Sequence, residues 1–353
     1  MYSALEFVGI DLGIRAPTSR IGTHRGAGAR EQRNEQTTSR TMVLSALEPL
    51  QPVASWILAA HAPAKVNLTL EIVGKRADGF HNIRSLVIGV DLRDRVECAA
   101  SHPVGPTLDC TDPTLHGDDN LVCRAAVALA RHCARDAEVR IRLDKHIPVG
   151  AGLGGGSSDA AATLRLCNEL WNTGMDGTRL AAIGAEIGSD VPLFFHLPSA
   201  LVTGRGESVE RVELNWRGWT LLVFPGVHVS TADVYRAWTE SDVARAKSPP
   251  ASLIDDILRA TAADELQEML VNQLEPAVFR VCPRVAEARD ELASLDKSSF
   301  RVTGSGSALY RLFDDQVAAR DAAGRIERRF PRMKTAVISA PVGLAPLERK
   351  EKT

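Results

Sequence analysis

Residues Pro148-Val-Gly-Ala-Gly-Leu-Gly-Gly-Gly-Ser-Ser158 form a glycine-rich loop between a predicted strand and a predicted helix. The strand covers residues 138–143, where apolar and charged side chains alternate, and the helix is Ala- and Leu-rich and ends near Trp171. The glycines clear side chains from the backbone, so successive N–H groups can point at one anion. Ser157 and Ser158 are expected to open the helix, whose dipole favours the same negative charge. The loop therefore predicts a phosphate-binding site, with a plain capped turn as the alternative.

Two better-known nucleotide loops fit this stretch poorly. A Walker loop needs a Gly-Lys-Ser/Thr sequence, which does not follow here. Gly150, Gly152 and Gly155 satisfy the pattern G-x-G-x-x-G of dinucleotide-binding proteins. However, Glu169 lies within the predicted helix, whereas the acid that binds a ribose ends a second strand in such proteins. A dinucleotide site is therefore not predicted.

Composition places the chain among ordinary globular proteins. It has 353 residues, of which 44% are hydrophobic and 24% are charged. The formal net charge of −2 argues against a nucleic-acid-binding protein. The 6 cysteines lack metal-ligand spacing, so we predict a reducing, cytoplasmic compartment and no structural zinc, and no residue is assigned as a metal ligand. No apolar run approaches the roughly 20 residues that cross a bilayer, and no membrane association is expected.

The remaining pattern predicts an α+β protein with terminal extensions. Residues 1–58 are interpreted as a disordered or artefactual extension, because much of this region is rich in Arg, Gly, Ser and Thr. Met42 is an alternative start, and a transit peptide is the other interpretation left open. A domain change near residue 218 divides the segment 59–217 from the segment 218–345. Residues 346–353 are predicted to be a charged tail.

Three local predictions bear on the fold. Alternating apolar residues predict a strand from Val66 to Val73. A strand pair is predicted at 84–90 and 95–99, with a charged turn at 91–94 between its members. Asp119 or Asn120 is expected to cap a helix that runs to about residue 134.

Three other places hold candidate functional residues, each with an ordinary structural alternative. Asp190, within Gly188-Ser-Asp-Val-Pro192, offers a carboxylate that can reach a substrate hydroxyl, or else forms an Asx turn. Lys65 starts an apolar strand, where it is either a surface lysine or a cation that stabilises charge during phosphoryl transfer. Gly304-Ser-Gly306 is either a hairpin turn or a second backbone approach to phosphate.

Five motifs together resemble the GHMP kinase superfamily: Ala62-Pro-Ala-Lys-Val-Asn67, Arg76-Ala-Asp-Gly-Phe-His81, Gly152-Leu-Gly-Gly-Gly-Ser-Ser-Asp-Ala-Ala161, Gly188-Ser-Asp-Val-Pro192 and Thr303-Gly-Ser-Gly306. The resemblance covers most of the chain outside the tails. It implies a two-domain fold, with an S5-like N-terminal domain, a ferredoxin-like C-terminal domain and the substrates in the cleft between them. The implied activity is that of an ATP-dependent small-molecule kinase.

The resemblance also implies roles for individual residues. Asp190 would take the proton from the acceptor hydroxyl, with Lys65 paired to it. The implied ATP-binding set joins the glycine loop, the start of the capped helix and the later turn: Pro148, Gly150, Gly152, Leu153, Gly154, Gly155, Gly156, Ser157, Ser158, Asn120, Leu121, Gly304, Ser305 and Gly306. Mg2+ would be bound through the nucleotide phosphates.

Four residues are implied to hold the acceptor. Asn67 would orient it, and His81 would hold a cytosine ring that stacks between Phe80 and Tyr235. Many relatives have tyrosine at the position of Phe80, which keeps a stacking face but lacks a hydroxyl. The Asp78-Gly-Phe-His81 turn favours a cytidyl-methylerythritol of the non-mevalonate isoprenoid route, phosphorylated at its 2-hydroxyl without a covalent intermediate.

Alternatives remain open at this point. Another GHMP kinase would act on mevalonate, homoserine or a sugar. A nucleotide-binding regulator would keep the fold without turnover, although retention of both Lys65 and Asp190 argues against it. The expected partner is a small molecule only, and the expected assembly is a monomer or a weak homodimer.

Overall fold

The computed structural model describes residues 58–101, 105–245, 250–296 and 299–349, which all belong to one compact unit. Residues 1–57 of the predicted extension and residues 350–353 of the predicted tail lie outside the described residues. The first elements are β1 (Leu58–Asn67), β2 (Thr69–Lys75), β3 (His81–Ala100), β4 (Thr107–Cys110), α1 (Leu121–His132), β5 (Val139–Asp144), α2 (Gly155–Leu170), α3 (Gly177–Ile187), β6 (Ser199–Gly204) and β7 (Ser208–Arg211).

The later elements begin at Gly218. They are β8 (Gly218–Phe224), α4 (Thr231–Ala237), α5 (Glu240–Arg245), α6 (Leu253–Arg259), α7 (Ala263–Met269), β9 (Val271–Asn272), α8 (Glu275–Val281), α9 (Pro283–Asp296), β10 (Arg301–Val302), β11 (Leu309–Phe313), α10 (Gln316–Arg329), β12 (Lys334–Ala340) and β13 (Glu348–Arg349). The mixed α+β class is confirmed. The predicted domain boundary falls at the first residue of β8 and stays a prediction.

Strand β3 is the centre of the larger sheet. Along its 20 residues it pairs antiparallel with β2, β6, β1 and β5. Strand β13 lies beside β1, β7 beside β6, β4 beside β5, and β9 beside β2. This arrangement brings the start of β3 and the end of β1 to the same region as the β6–β7 turn.

The charged turn predicted at residues 91–94 is wrong, because β3 continues through it. The register with β1 shifts at this point, between Pro63 and Ala64, which accommodates the extra residues as a bulge. Asp94 is fully buried, and its carboxylate accepts a hydrogen bond from the backbone N–H of Ile147 at 2.8 Å. The charge of Asp94 suggested a turn, but its carboxylate has hydrogen-bond partners inside the protein.

The strand predicted from Val66 to Val73 is interrupted at Leu68, where β1 ends and β2 begins. The helix predictions hold more closely. Asn120 caps α1 by accepting a hydrogen bond from the backbone N–H of Val122 at 3.0 Å, as predicted. Helices α1, α2 and α3 contribute to one apolar core with β1, β3 and β5.

A second sheet has the order β10-β11-β8-β12, and its paired strands are antiparallel. Successive side chains of β8 point to opposite faces. Leu222 and Phe224 enter a core that also contains Val66 of β1 and Ile88 of β3. Leu221 and Val223 enter a different core, which includes residues from α8, α9 and α10. The second sheet therefore packs against the first through shared apolar side chains.

Among the helices that the structure describes, none combines the length and apolar character needed to cross a bilayer.

Candidate active site

A cavity of about 1400 Å³ lies along the glycine loop. It is lined by the end of β1, the turn before β3, the loop itself, the residues after α3, the β6–β7 turn, helix α4 and the Gly304 turn. The predicted residues on its wall are Lys65, Asn67, Phe80, His81, Asn120, Leu121, Pro148, Gly150, Gly152, Leu153, Gly154, Gly155, Gly156, Ser157, Asp190, Tyr235, Gly304 and Ser305. Ser158 and Gly306 are not on the wall.

Helix α2 begins two residues before the predicted Ser157. Gly154 is its N-cap, with φ 71, a left-handed conformation that glycine adopts at little cost. The N–H groups of Gly155, Gly156 and Ser157 therefore form the first turn, where an α-helix has no internal partners for them. The backbone N–H of Ser158 is already bonded to the carbonyl of Gly154 at 3.0 Å. The helix end that was predicted to bind phosphate is thus formed mainly by glycine backbone.

The glycine loop is in direct backbone contact with the Gly304 turn. The N–H of Ala308 donates to the carbonyl of Ala151 at 3.1 Å, and the N–H of Ser307 donates to the carbonyl of Gly150 at 3.3 Å. A Cβ atom on Gly152 would lie 2.3 Å from the carbonyl oxygen of Thr303. Gly152 is therefore required for close packing of two loops, as well as for any approach to phosphate.

Lys65 is buried beneath this contact. Its Nζ donates to Oδ1 of Asn67 and to the carbonyl of Gly152, both at 2.7 Å. Burial lowers the pKa of Lys65, while the charge of Asp190 opposes that shift. The Nζ atom of Lys65 thus has Asn67 and Gly152 as its hydrogen-bond partners, so the predicted pairing with Asp190 is not a direct ion pair. Both residues line the cavity, and the charge of Asp190 acts on Lys65 without direct contact.

Asn67 is held on several sides. Its side-chain amide donates to Oγ of Ser85 at 2.8 Å, and its backbone N–H donates to Oγ1 of Thr303 at 3.1 Å. Its carbonyl accepts from the hydroxyl of Tyr310 at 2.8 Å. Because Oδ1 accepts from Lys65, this side chain fixes the position of the ammonium group.

Asp190 lies in the turn after α3, on the exposed side of the cavity. A Cβ atom on Gly206 would lie 3.6 Å from its Oδ1, so the β6–β7 turn passes directly beside the carboxylate. Burial, with a smaller contribution from Asp190, raises the pKa of the Tyr235 hydroxyl, which therefore stays neutral.

An aromatic cluster forms another part of the wall. The rings of His81 and Tyr235 stack with centroids 5.5 Å apart, and Trp238 meets His81 edge-on at 5.1 Å. Phe80 is 53% exposed, and the guanidinium of Arg205 lies 5.6 Å from its ring centroid. The Tyr235 ring is therefore in contact with His81. It does not face Phe80 across an open gap, which is the arrangement that a cytosine ring stacked between Phe80 and Tyr235 would need. Burial and the nearby Lys75 lower the pKa of His81, so its imidazole is neutral at pH 7.

Behind the glycine loop lies a buried ion cluster that the sequence interpretation missed. Lys145 Nζ donates to Oδ2 of Asp159 at 2.8 Å and also pairs with Asp94. Burial tends to lower the pKa of Lys145, but these two carboxylates outweigh it and raise the pKa. Burial raises the pKa of Asp159, whose Oδ1 has no hydrogen-bond partner. The sequence does show a lysine, Lys145, just before the loop and an aspartate, Asp159, just after Ser158, and these two charges could have indicated the cluster.

Asn120 and Leu121 line the cavity at the start of α1. The side chain of Asn120 is occupied by the protein, since it caps Val122 and donates to the carbonyl of Leu115 at 2.9 Å. Lys75, Arg205 and Trp238 also line the cavity and were not predicted, because no motif marks them. In the described ranges, no group of three or more His, Cys, Asp or Glu side chains is arranged to hold a metal ion.

Comparison with known families finds two matching segments of the chain. The family model for the N-terminal domain of GHMP kinases matches residues 120–196, and the model for their C-terminal domain matches residues 253–332. A protein of Geobacter sp. strain M21 named 4-diphosphocytidyl-2-C-methyl-D-erythritol kinase is 39% identical over 268 residues, covering 76% of this chain and 93% of that protein. A protein of the same name from Salinibacter ruber is 36% identical, covering 80% of this chain and 99% of that protein.

Solved structures agree with these matches. A crystal structure of 4-(cytidine 5'-diphospho)-2C-methyl-D-erythritol kinase superposes with a TM-score of 0.66 and 34% identity, covering 80% of this chain and 99% of that chain. A homoserine kinase from Cytophaga hutchinsonii has the same TM-score of 0.66 at 18% identity, covering 84% of this chain and 99% of that chain. The homoserine kinase shows likeness of fold alone.

Proposed function

We propose, from the premise that this chain belongs to the 4-diphosphocytidyl-2-C-methyl-D-erythritol kinases of the GHMP kinase superfamily, that it phosphorylates that cytidyl-methylerythritol with ATP. The acceptor atom is the 2-hydroxyl. One observation carries the proposal: a single cavity holds the glycine loop, Lys65 with Asp190, and an aromatic cluster. These features supply a phosphate site, a reacting site and a ring-binding wall.

ATP phosphates bind along the glycine loop in this proposal. The first-turn N–H groups of α2 and the helix dipole favour a phosphate at Gly155 and Gly156. The Gly304 turn covers the same region from the opposite side, since Gly304 and Ser305 also line the cavity. Leu121, at the start of α1, lies toward the adenosine end of the nucleotide.

Asp190 accepts the proton of the acceptor 2-hydroxyl and aligns its oxygen with the γ-phosphorus. Positioning and charge stabilisation supply most of the rate of phosphoryl transfer, so a carboxylate at this point is sufficient without a covalent intermediate. The ammonium of Lys65 stabilises negative charge on the transferred group. Its hydrogen bonds to Asn67 and to the carbonyl of Gly152 hold it in place for this role.

Mg2+ accompanies ATP in this proposal, and the residues beside the loop fit such an ion. Asp159 lines the cavity and presents a buried carboxylate oxygen without a hydrogen-bond partner. Mg2+ prefers oxygen ligands and is commonly held by one or two carboxylates together with substrate phosphates. Asp159 is therefore the residue that would hold it, and the ion would neutralise charge on the phosphates.

The acceptor's cytosine ring lies against the aromatic cluster of His81 and Tyr235. Neutral His81 can both donate and accept a hydrogen bond, which suits the edge of a pyrimidine. Phe80 adds an exposed ring at the entrance. The six cysteines, which form no disulfide, support the cytoplasm as the compartment, and the expected assembly stays a monomer or weak homodimer.

The test is an ADP-release assay with Mg-ATP and four acceptors: the cytidyl-methylerythritol, mevalonate, homoserine and galactose. We expect release with the cytidyl compound alone. ADP release with another acceptor would show that the protein is a kinase but would refute the acceptor assigned here. If protein that binds ATP releases no ADP with any of the four acceptors, it is a nucleotide-binding protein without turnover.

A further inference from the structure

A basic side chain, Arg205, lies between the ring-binding wall and the reacting aspartate. Its guanidinium is 5.6 Å from the centroid of Phe80. The next residue, Gly206, lies beside Asp190, since a Cβ atom there would be 3.6 Å from Oδ1 of the aspartate. Arg205 therefore bridges two parts of the cavity that hold opposite ends of one molecule in the proposed reaction.

The fold fixes this position from two directions. Arg205 belongs to the turn that joins β6 to β7, and Gly204 before it pairs with Ile83 of β3. Ile83 is two residues beyond His81, at the start of the same strand. The turn is thus anchored to the strand that presents the aromatic cluster.

The charge of Arg205 is only weakly compensated within the protein. Among the described residues, the carboxylate within 4.0 Å of its guanidinium is that of Glu207, with Nε and Oε2 4.0 Å apart. That carboxylate accepts a shorter bond, 2.7 Å, from the backbone N–H of Arg205. A guanidinium has five N–H donors, so its terminal nitrogens remain available to a ligand.

A second cation lies at the same end of the cavity. Lys75 pairs with His81 across strands β2 and β3, and both residues line the wall. Lys75 is exposed, so its ammonium group is free to move toward a ligand at the entrance of the cavity. The glycine loop, which binds ATP phosphates in the proposed function, involves neither Lys75 nor Arg205.

We propose that Arg205, assisted by Lys75, binds the diphosphate that links the cytidyl group of the acceptor to its methylerythritol. The inference rests on the proposed function. The planar guanidinium fork matches phosphate oxygens in a bidentate manner, and the pair of cations balances the charge of a diphosphate. The diphosphate must lie between the cytosine ring and the reacting hydroxyl, which is where Arg205 is found.

The test compares CDP and cytidine as ligands of wild-type protein, Arg205→Met and Arg205→Lys, by calorimetry. We expect the preference for CDP over cytidine to fall about 10- to 100-fold in Arg205→Met, the usual effect of losing hydrogen bonds to a charged group. Affinity for cytidine itself should stay unchanged, and Arg205→Lys should recover part of the preference. Arg211→Met, an exposed arginine at the end of the same hairpin but outside the cavity, is the matched control and should behave as wild type.

Steady-state kinetics complete the test. In Arg205→Met the KM of the cytidyl-methylerythritol should rise by a similar factor, while the KM of ATP stays unchanged. An unaltered ratio of CDP to cytidine affinity, or a rise confined to the KM of ATP, would overturn the inference. Failure of the wild-type protein to phosphorylate the cytidyl acceptor would instead overturn the proposed function, so the two failures are distinguishable.

Discussion

Single side chains at the cavity divide into those held by the protein and those left for substrate. Lys65 and Asn67 are fixed by hydrogen bonds to each other and to neighbouring groups. Asp190 is on the exposed side of the cavity. A rigid cation opposite an accessible carboxylate suits a reaction in which the carboxylate meets a mobile hydroxyl and the cation stabilises charge.

Replacing Asp190 by Asn tests the carboxylate. We expect kcat to fall by about 10²- to 10⁴-fold, the usual contribution of a positioned general base, because the amide cannot accept the hydroxyl proton. The KM of ATP should be unchanged, since the nucleotide binds along the glycine loop in the proposed function. Steady-state kinetics measure both values, and Asp255→Asn, an exposed aspartate outside the cavity lining, is the control. An unchanged kcat in Asp190→Asn would remove this residue from the proposed role.

Replacing Tyr235 by Ala tests the ring-binding wall. We expect the KM of the acceptor to rise by a factor equivalent to about 1–3 kcal/mol, the value of one base stacked on an aromatic side chain. The stacked His81 also loses its support, at 5.5 Å between centroids. Tyr235→Phe keeps the ring and serves as the control, with a KM close to wild type. If both variants keep the wild-type KM, the cytosine ring binds elsewhere.

At the level of elements, the start of α2 depends on a glycine that serves two purposes. Gly154 supplies a left-handed N-cap, and a Cβ atom there would lie 3.0 Å from Cγ of Lys65. The helix terminus and the lysine of β1 are therefore packed against each other. In the proposed function, this contact would couple the phosphate site to the reacting site.

A matched pair of substitutions separates the two purposes of Gly154. Gly174 has a similar left-handed φ of 66 but open space around its Cβ position. Gly174→Ala should lower the free energy of unfolding by about 1–2 kcal/mol from backbone strain alone and keep full kcat. Gly154→Ala should cost more stability and also lower kcat, because Lys65 must move. Urea denaturation and steady-state assays give both quantities, and equal behaviour of the two variants would contradict the coupling.

For the whole molecule, the shared core means that the two sheets depend on each other. Leu222 of β8 is 0% exposed and packs in the core that also contains Val66 and Ile88 of the larger sheet. Trp216 is fully buried in the same core and is one of the 5 tryptophans that contribute to the fluorescence of the protein. Side chains from before and after residue 218 therefore stabilise one interior.

Replacing Leu222 by Ala should lower the free energy of unfolding by about 2–5 kcal/mol, as for other buried leucines. Because the core is shared, tryptophan fluorescence and far-UV circular dichroism should shift together in urea, as one transition. Val317→Ala is the control: Val317 is 74% exposed, and surface changes usually stay within about 0.5 kcal/mol. Transitions that do not coincide between the two probes would contradict a single cooperative unit.

Local features were predictable because their causes are local. Asn120 caps α1 through a hydrogen bond two residues along the chain, and the glycines of the loop set the conformation of their own backbone. The five motifs, taken together, likewise pointed to the GHMP kinases. The sequence by itself therefore determined the α+β class, most helices and the location of the glycine loop at the start of α2.

Only the tertiary structure determined how distant charges are paired. Asp94 was expected in a charged turn, but Lys145, 51 residues away, neutralises it inside the protein and allows β3 to continue. Lys65 bonds to Asn67 and Gly152 rather than directly to Asp190. Arg205 reaches Phe80 only because β6 pairs with β3. A sequence pattern reports the preference of each residue for water or for a neighbour nearby in the chain, whereas these contacts depend on which strands become adjacent when the sheet forms.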